Sequence, residues 1–205
     1  LTLTGFPQLA CTAPSKYKMG LQLFSVRDSM AEDPLGTLKK VKAMGYQDFE
    51  TYGFNPDTKR IYGLEVGEFK MVLDDLGLTT TSGHYAFSDY FNATEDKLKE
   101  FVDRCIEASK ILNAPYITWP WLHPDQRNAE SFKILADKLN RIGEQVKGAG
   151  LGFAYHNHGY EFENWEGSSG HDILMQITDP ELVKLQMDMY WVVHSGKTPK
   201  QLVEQ

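Results

Sequence analysis

The chain has 205 residues, 41% hydrophobic and 24% charged, with a net charge of -7, the make-up of an ordinary globular protein able to bury a sizeable core. That balance, without a Lys/Arg cluster to neutralise phosphates, argues against a nucleic-acid partner. No run approaches the ~20 apolar residues of a membrane span, and Cys11 and Cys105 make neither a disulfide framework nor a CxxC motif.

Residues 1–17 read as a leader. Leu9-Ala10-Cys11 loosely resembles a lipoprotein cleavage box, and there is no initiator Met or basic start. Export, to the periplasm or to a lipid anchor, is one expectation; a plain leader on a cytoplasmic protein is the other. From residue 18 to 205 apolar runs alternate with amphipathic stretches as one domain.

Met19–Val26 reads as a first strand. Leu35, Leu38, Val41 and Met44 follow Asp33-Pro34 at helical spacing, and Gly45 closes that helix. Asp48–Tyr52 is a second strand, Val66–Leu76 a second helix and the Thr-rich Leu78–His84 a third strand. Lys97–Leu112 is a longer helix behind two candidate N-caps, Asn92 and Thr94. Pro115–Trp119 is a fourth strand. Ala129–Lys147 is a helix with Phe132, Ile134, Leu135, Leu139, Ile142 and Val146 as its apolar positions. Leu151–His156 is the fifth strand, His171–Ile177 a short helix and Val183–Asp188 the sixth strand; Thr198-Pro199 opens a last helix.

Six βα units with buried, parallel-type strands fit a doubly wound sheet or a (β/α)8 TIM barrel. Neither GxGxxG nor GxxxxGK[ST] is present. Polar side chains gather where strands end: Gln22, Glu50, His84, Trp119, His156 with His158, and Asp188. In a barrel these ends share one rim, so the α/β barrel is the favoured reading. A barrel has eight units, so the C-terminal ones are expected to be missing from these residues.

His156, His158, Glu161 and Asp188 combine imidazole with carboxylate, a donor set suited to a borderline divalent ion. Asp188 sits between Met187 and Met189 on a core strand, where a carboxylate is costly unless paired or on a metal; a helix N-cap or a salt bridge is the other reading. His158 offers an acid/base that titrates near working pH, or a histidine bonded within its loop. Glu50 is a candidate for proton transfer or for binding hydroxyls. Gln22, His84, Trp119, Asn157 and Tyr190, with Trp121, are candidate substrate contacts, although core or loop packing is the commoner role for any single aromatic.

Several stretches carry a resemblance: Gly20-Leu-Gln-Leu-Phe-Ser-Val-Arg27, Gly45-Tyr-Gln-Asp-Phe-Glu50, Ser82-Gly-His84, Tyr155-His-Asn-His158 with Glu161-Phe162, and Met187-Asp-Met-Tyr-Trp191. Together they resemble the xylose isomerase-like TIM barrels, the sugar phosphate isomerase/epimerase superfamily. The resemblance implies one divalent metal ion (Mn, Zn, Co, Mg or Fe) held by a Glu, an Asp, a His and a second Glu on strands five to eight. Carried over, Asp188 is the strand-six ligand. Where many relatives have Glu-Asn-His, this chain has His156-Asn157-His158, so His156 takes the ligand position and Glu161 is the alternative. The ligands of strands seven and eight have no counterpart in these residues.

The implied activity is sugar isomerisation or epimerisation through an enediolate beside a carbonyl, with His158, Glu161 and Glu50 as the catalytic candidates. A small-molecule sugar is the implied partner, and a homo-oligomer is left open. A lyase or dehydratase acting on keto-sugars or keto-glycosides would share the first step. A metal-dependent phosphodiesterase of the endonuclease IV type fits the acidic charge poorly. The reading from another class is a non-catalytic sugar-binding barrel.

Overall fold

Six short parallel strands hydrogen-bond in chain order in the computed structural model, which describes residues 17–165 and 167–204. They are β1 (Gly20–Gln22), β2 (Asp48–Thr51), β3 (Thr79–His84), β4 (Tyr116–Trp119), β5 (Gly152–His156) and β6 (Lys184–Gln186). The sheet curls into a half-barrel. Its helices are α1 (Arg27–Glu32), α2 (Pro34–Ala43), α3 (Val66–Asp75), α4 (Glu95–Leu112), α5 (Ala129–Gly148), α6 (Gly170–Ile177), α7 (Met189–His194) and α8 (Pro199–Val203). Each strand is followed by at least one helix, as the alternating pattern predicts. Of the expected leader, residues 1–16, Cys11 among them, lie outside the described residues.

Local chemistry sets the helix starts. Asp33 accepts from the Gly36 amide before Pro34, and Asn128 accepts from Ser131 at the head of α5. Of the two candidate caps for α4, Thr94 is the one used. Ser169 and Asp172 make a reciprocal capping box on α6.

The core lies between the sheet and the helices. Phe49, Ile117 and Phe153 from the strands meet Phe69, Leu73, Phe101, Cys105, Phe132 and Leu139 from α3, α4 and α5, all fully or almost fully buried. Leu35, Met44 and Ile134, apolar positions of α2 and α5 or their ends, are exposed. Leu35, Leu38, Val41 and Met44 recur every three residues, and such a row turns about 60° per step around a helix of 3.6 residues per turn. The middle pair therefore faces inward and the ends rotate out.

Two strands are shorter than expected, for reasons that bear on the site. The first ends at Gln22, whose side chain accepts from the Phe24 amide and starts a 3-10 turn over Leu23–Val26. The sixth ends at Gln186 because Asp188 caps α7, a helix absent from the sequence reading. Two small hairpins, Arg60–Ile61 with Leu64–Glu65 and Asn164–Trp165 with Ser168–Ser169, decorate the loops and were likewise unforeseen.

Candidate active site

Strand register aligns the polar residues. Gln22 lies beside Glu50, Glu50 beside Ser82, His84 beside Thr118, and His156 beside Gln186. Alternate residues of a strand share a face, so this row lines the inside of the half-barrel. It forms the floor of a cavity of about 1100 Å³, walled by Trp121, Tyr190 and Trp191 and edged by Asp89 and His123.

The floor is a closed hydrogen-bond network. Gln22 Oε1 is taken by the Phe24 amide, so its Nε2 donates to His84 Nδ1 at 3.0 Å. His84 therefore carries its proton on Nε2, which lies 2.9 Å from Glu50 Oε1 and 2.8 Å from Gln186 Oε1. Ser82 and the Gln186 amide donate to Glu50 Oε2. Burial pushes the Glu50 carboxyl up, but the hydrogen bond and electrostatic attraction of the His84 N–H, with the hydrogen bonds from Ser82 and Gln186, outweigh it and hold Glu50 at about 2. Glu50 and His84 thus form a fixed, polar base to the cavity.

Above it stand His156, His158 and Asp188. Burial lowers the pKa of His158 to about 4, helped by neighbouring His156, so its imidazole is unprotonated at neutral pH. Its ring stacks on Tyr160 at 5.6 Å and meets the edge of Trp121 at 5.3 Å. Among the described residues its Nδ1 is buried without a hydrogen-bond partner. The His156 ring lies 5.0 Å from those of both His84 and His158. Burial and His84 also lower the His156 pKa, while Asp188 opposes them. Asp188 Oδ1 accepts from the Tyr190 and Trp191 amides, and its Oδ2 lies 3.8 Å from His156 Nε2. The N-cap reading of Asp188 is therefore realised on a carboxylate that still lines the cavity.

Gln22, Glu50, His84, His156, His158, Asp188 and Tyr190 all reach this cavity. Glu161, Trp119 and Asn157 do not line it. Glu161 is 0% exposed, because the turn Tyr160–Phe162 rotates it inward, where it accepts from Tyr155 Oη at 2.7 Å and the His158 amide at 2.8 Å. Trp119 is also 0% exposed; it stacks on Phe87 at 5.1 Å and donates to the Trp121 carbonyl. Asn157, 2% exposed, ties the ends of β5 and β6 together by accepting from the Asp188 amide. These three support the site from behind its wall.

Gln186, Asp89 and His123 join the site without having been singled out. Gln186 had a signal: it sits two residues before Asp188, at the end of a strand, beside His156 in register. Asp89 and His123, 3.0 Å apart at the rim, lie on loops far apart in sequence, and nothing local announces the pair.

The family described as xylose isomerase-like TIM barrel matches residues 38–204. The chain belongs to it. The crystal structure of a sugar phosphate isomerase/epimerase from Parabacteroides distasonis superposes with a TM-score of 0.81 at 28% identity, covering 94% of this chain and 72% of that one. A xylose isomerase-like barrel from Mycobacterium smegmatis, solved with magnesium, has a TM-score of 0.64 at 13% identity, covering 92% of this chain and 70% of that one, a likeness of fold. Inosose dehydratase of Clostridium beijerinckii is 36% identical over 72 residues, 35% of this chain and 24% of that protein. This chain therefore aligns with about a quarter of that curated relative's length.

The metal expected from the resemblance finds only part of its donor set here. His156 Nε2 and Asp188 Oδ2 face each other at 3.8 Å, whereas a zinc site takes three or four protein ligands. Glu161, the alternative ligand, is turned away with both oxygens engaged. Among the described residues no group of three His, Cys, Asp or Glu side chains is placed to hold an ion. These residues do not fit a complete metal centre, and no chemical step is routed through one.

Proposed function

We propose that the protein is a sugar isomerase or epimerase that moves a proton on a carbon beside a carbonyl. The observation that carries this reading is the half-buried His158 imidazole, whose pKa burial lowers to about 4, in a cavity with a polar floor and aromatic walls. The sugar would lie on the polar floor with its face against Trp121, Tyr190 or Trp191. His158 would take the proton from the carbon next to the carbonyl. His156, braced by Asp188, is the neighbouring group that can hold or return one. Membership of the barrel family and the likeness to the Parabacteroides protein support this reading.

Elimination of a β-leaving group is the second reading, favoured by the local similarity to inosose dehydratase. It begins with the same proton abstraction. A keto-sugar panel incubated in D₂O and read by NMR tests both, since either reaction first exchanges a carbon-bound hydrogen. Wild type should incorporate deuterium into one member, and His158→Asn should slow this at least about 100-fold. A base at about 4 must lose its proton to act, so the acid limb of kcat/KM should fall near pH 4 rather than near 6.5. Saturable sugar binding without exchange would replace catalysis with a sugar-binding barrel.

A further inference from the structure

We propose that the ligand is a neutral glycoside, one ring in the main cavity and a second in a side hollow beyond His158; this rests on the sugar reading above. The hollow has a volume of about 470 Å³, within the range of roughly 300 to 1,000 Å³ typical of small-ligand sites. Trp121, His158 and Trp191 line both spaces, so the two border each other across these three rings. A ligand spanning both would place the link between its rings beside the His158 imidazole.

The walls of the hollow suit a sugar or aryl ring. Tyr160 and Phe162 add aromatic surface to the Trp pair, and such faces bind the apolar side of a ring while its edge stays polar. Arg127 is held rigidly there. Its guanidinium carbon lies 4.3 Å from the Trp121 ring centre and 3.9 Å from that of Tyr160, while Nε and Nη2 donate to the Leu122 carbonyl. It makes no ion pair among the described residues, and Nη1 is left over as a donor. Glu163 lines the same hollow with an exposed carboxylate. A free anion would meet Glu163 and a free cation would meet Arg127, whereas hydroxyl groups use donor and acceptor alike. That pairing selects an uncharged polyhydroxy or aryl partner.

Calorimetry on the whole chain tests this with matched probes: methyl β-D-glucoside against cellobiose, methyl β-D-galactoside against lactose, and methyl β-D-glucuronide as the anionic control. In at least one pair the disaccharide should bind tenfold or more tightly than the monosaccharide. Glu163→Trp, which fills the hollow from an exposed position, should abolish that gain and leave the methyl glycoside unchanged. Glu163→Ala, where the side chain makes no hydrogen bond among the described residues, should reduce it threefold or more. Equal affinities within every pair, unaltered by Glu163→Trp, would remove the second-ring site and leave the sugar reading intact. Failure of every sugar to bind would overturn both. Preferential binding of the glucuronide that Glu163→Trp abolishes would make the hollow an anion site and overturn the neutral-ring inference.

Discussion

Replacing Glu161 by Gln should change how stability depends on pH, with a size and sign set by where Glu161 lies. Burial raises its pKa from 4.5 to about 7, although Tyr155 and the His158 amide donate to it. Below pH 4.5 the folded and unfolded chains both hold the proton, and this group contributes no slope. Between 4.5 and about 7 the unfolded chain releases it while the folded chain keeps it, so stability falls as pH rises. At about 1.4 kcal/mol per pH unit the loss is about 3 kcal/mol, complete above pH 7. His158 works in the opposite direction: its pKa is lowered from 6.5 to about 4, so stability rises over that interval. The two oppose each other in wild type, and only a difference between proteins isolates Glu161. Gln copies the protonated acid, since its carbonyl can accept from the His158 amide and its amide can donate to Tyr155 Oη. Urea unfolding followed by tryptophan fluorescence should therefore show Glu161→Gln gaining about 3 kcal/mol on wild type between pH 4.5 and 7.5. A flat difference, or one that favours wild type at high pH, would show that the buried carboxyl ionises freely and would refute the reasoning.

Three further substitutions probe what holds the cavity wall and the strand beside it. Asp188→Ala removes the cap from α7, the helix bearing Tyr190 and Trp191, and should cost about 1 kcal/mol in urea unfolding. Asp188→Asn should keep the cap while removing the charge beside His156; because Asp188 opposes the fall in the His156 pKa, an NMR titration should find that histidine lower still. Gly143→Ala would bring a methyl 2.8 Å from the Leu182 carbonyl, just ahead of β6. Overpacking of about 1–3 kcal/mol should exceed the helix-propensity gain of up to about 1 kcal/mol. A raised Tm would show that the loop before β6 gives way without cost.

The scaffold and much of the site were legible because they rest on periodicity. The six strands and their main helices fall where the apolar runs place them, and Gln22, Glu50, His84, His156 and Asp188 were picked as strand-end residues that converge on one cavity. What escaped depends on the backbone just past each strand. Asp188 ends β6 by capping α7, and Glu161 is turned inward by a 3-10 turn that no apolar period marks. Trp119 is different, because the two-residue repeat carried the information. Thr118 pairs with Ala154 on one side and His84 on the other, while Trp119 pairs with Tyr155. His156 is two residues from Ala154, so His84, Thr118, Ala154 and His156 share the cavity face and Trp119 must lie on the opposite one. There it stacks on Phe87, which packs against Phe101 of α4. Trp121 reaches the cavity only because the chain has left the strand at Pro120. Strand ends mark the neighbourhood of the cavity, and the two-residue parity counted from His84 separates its wall from the core.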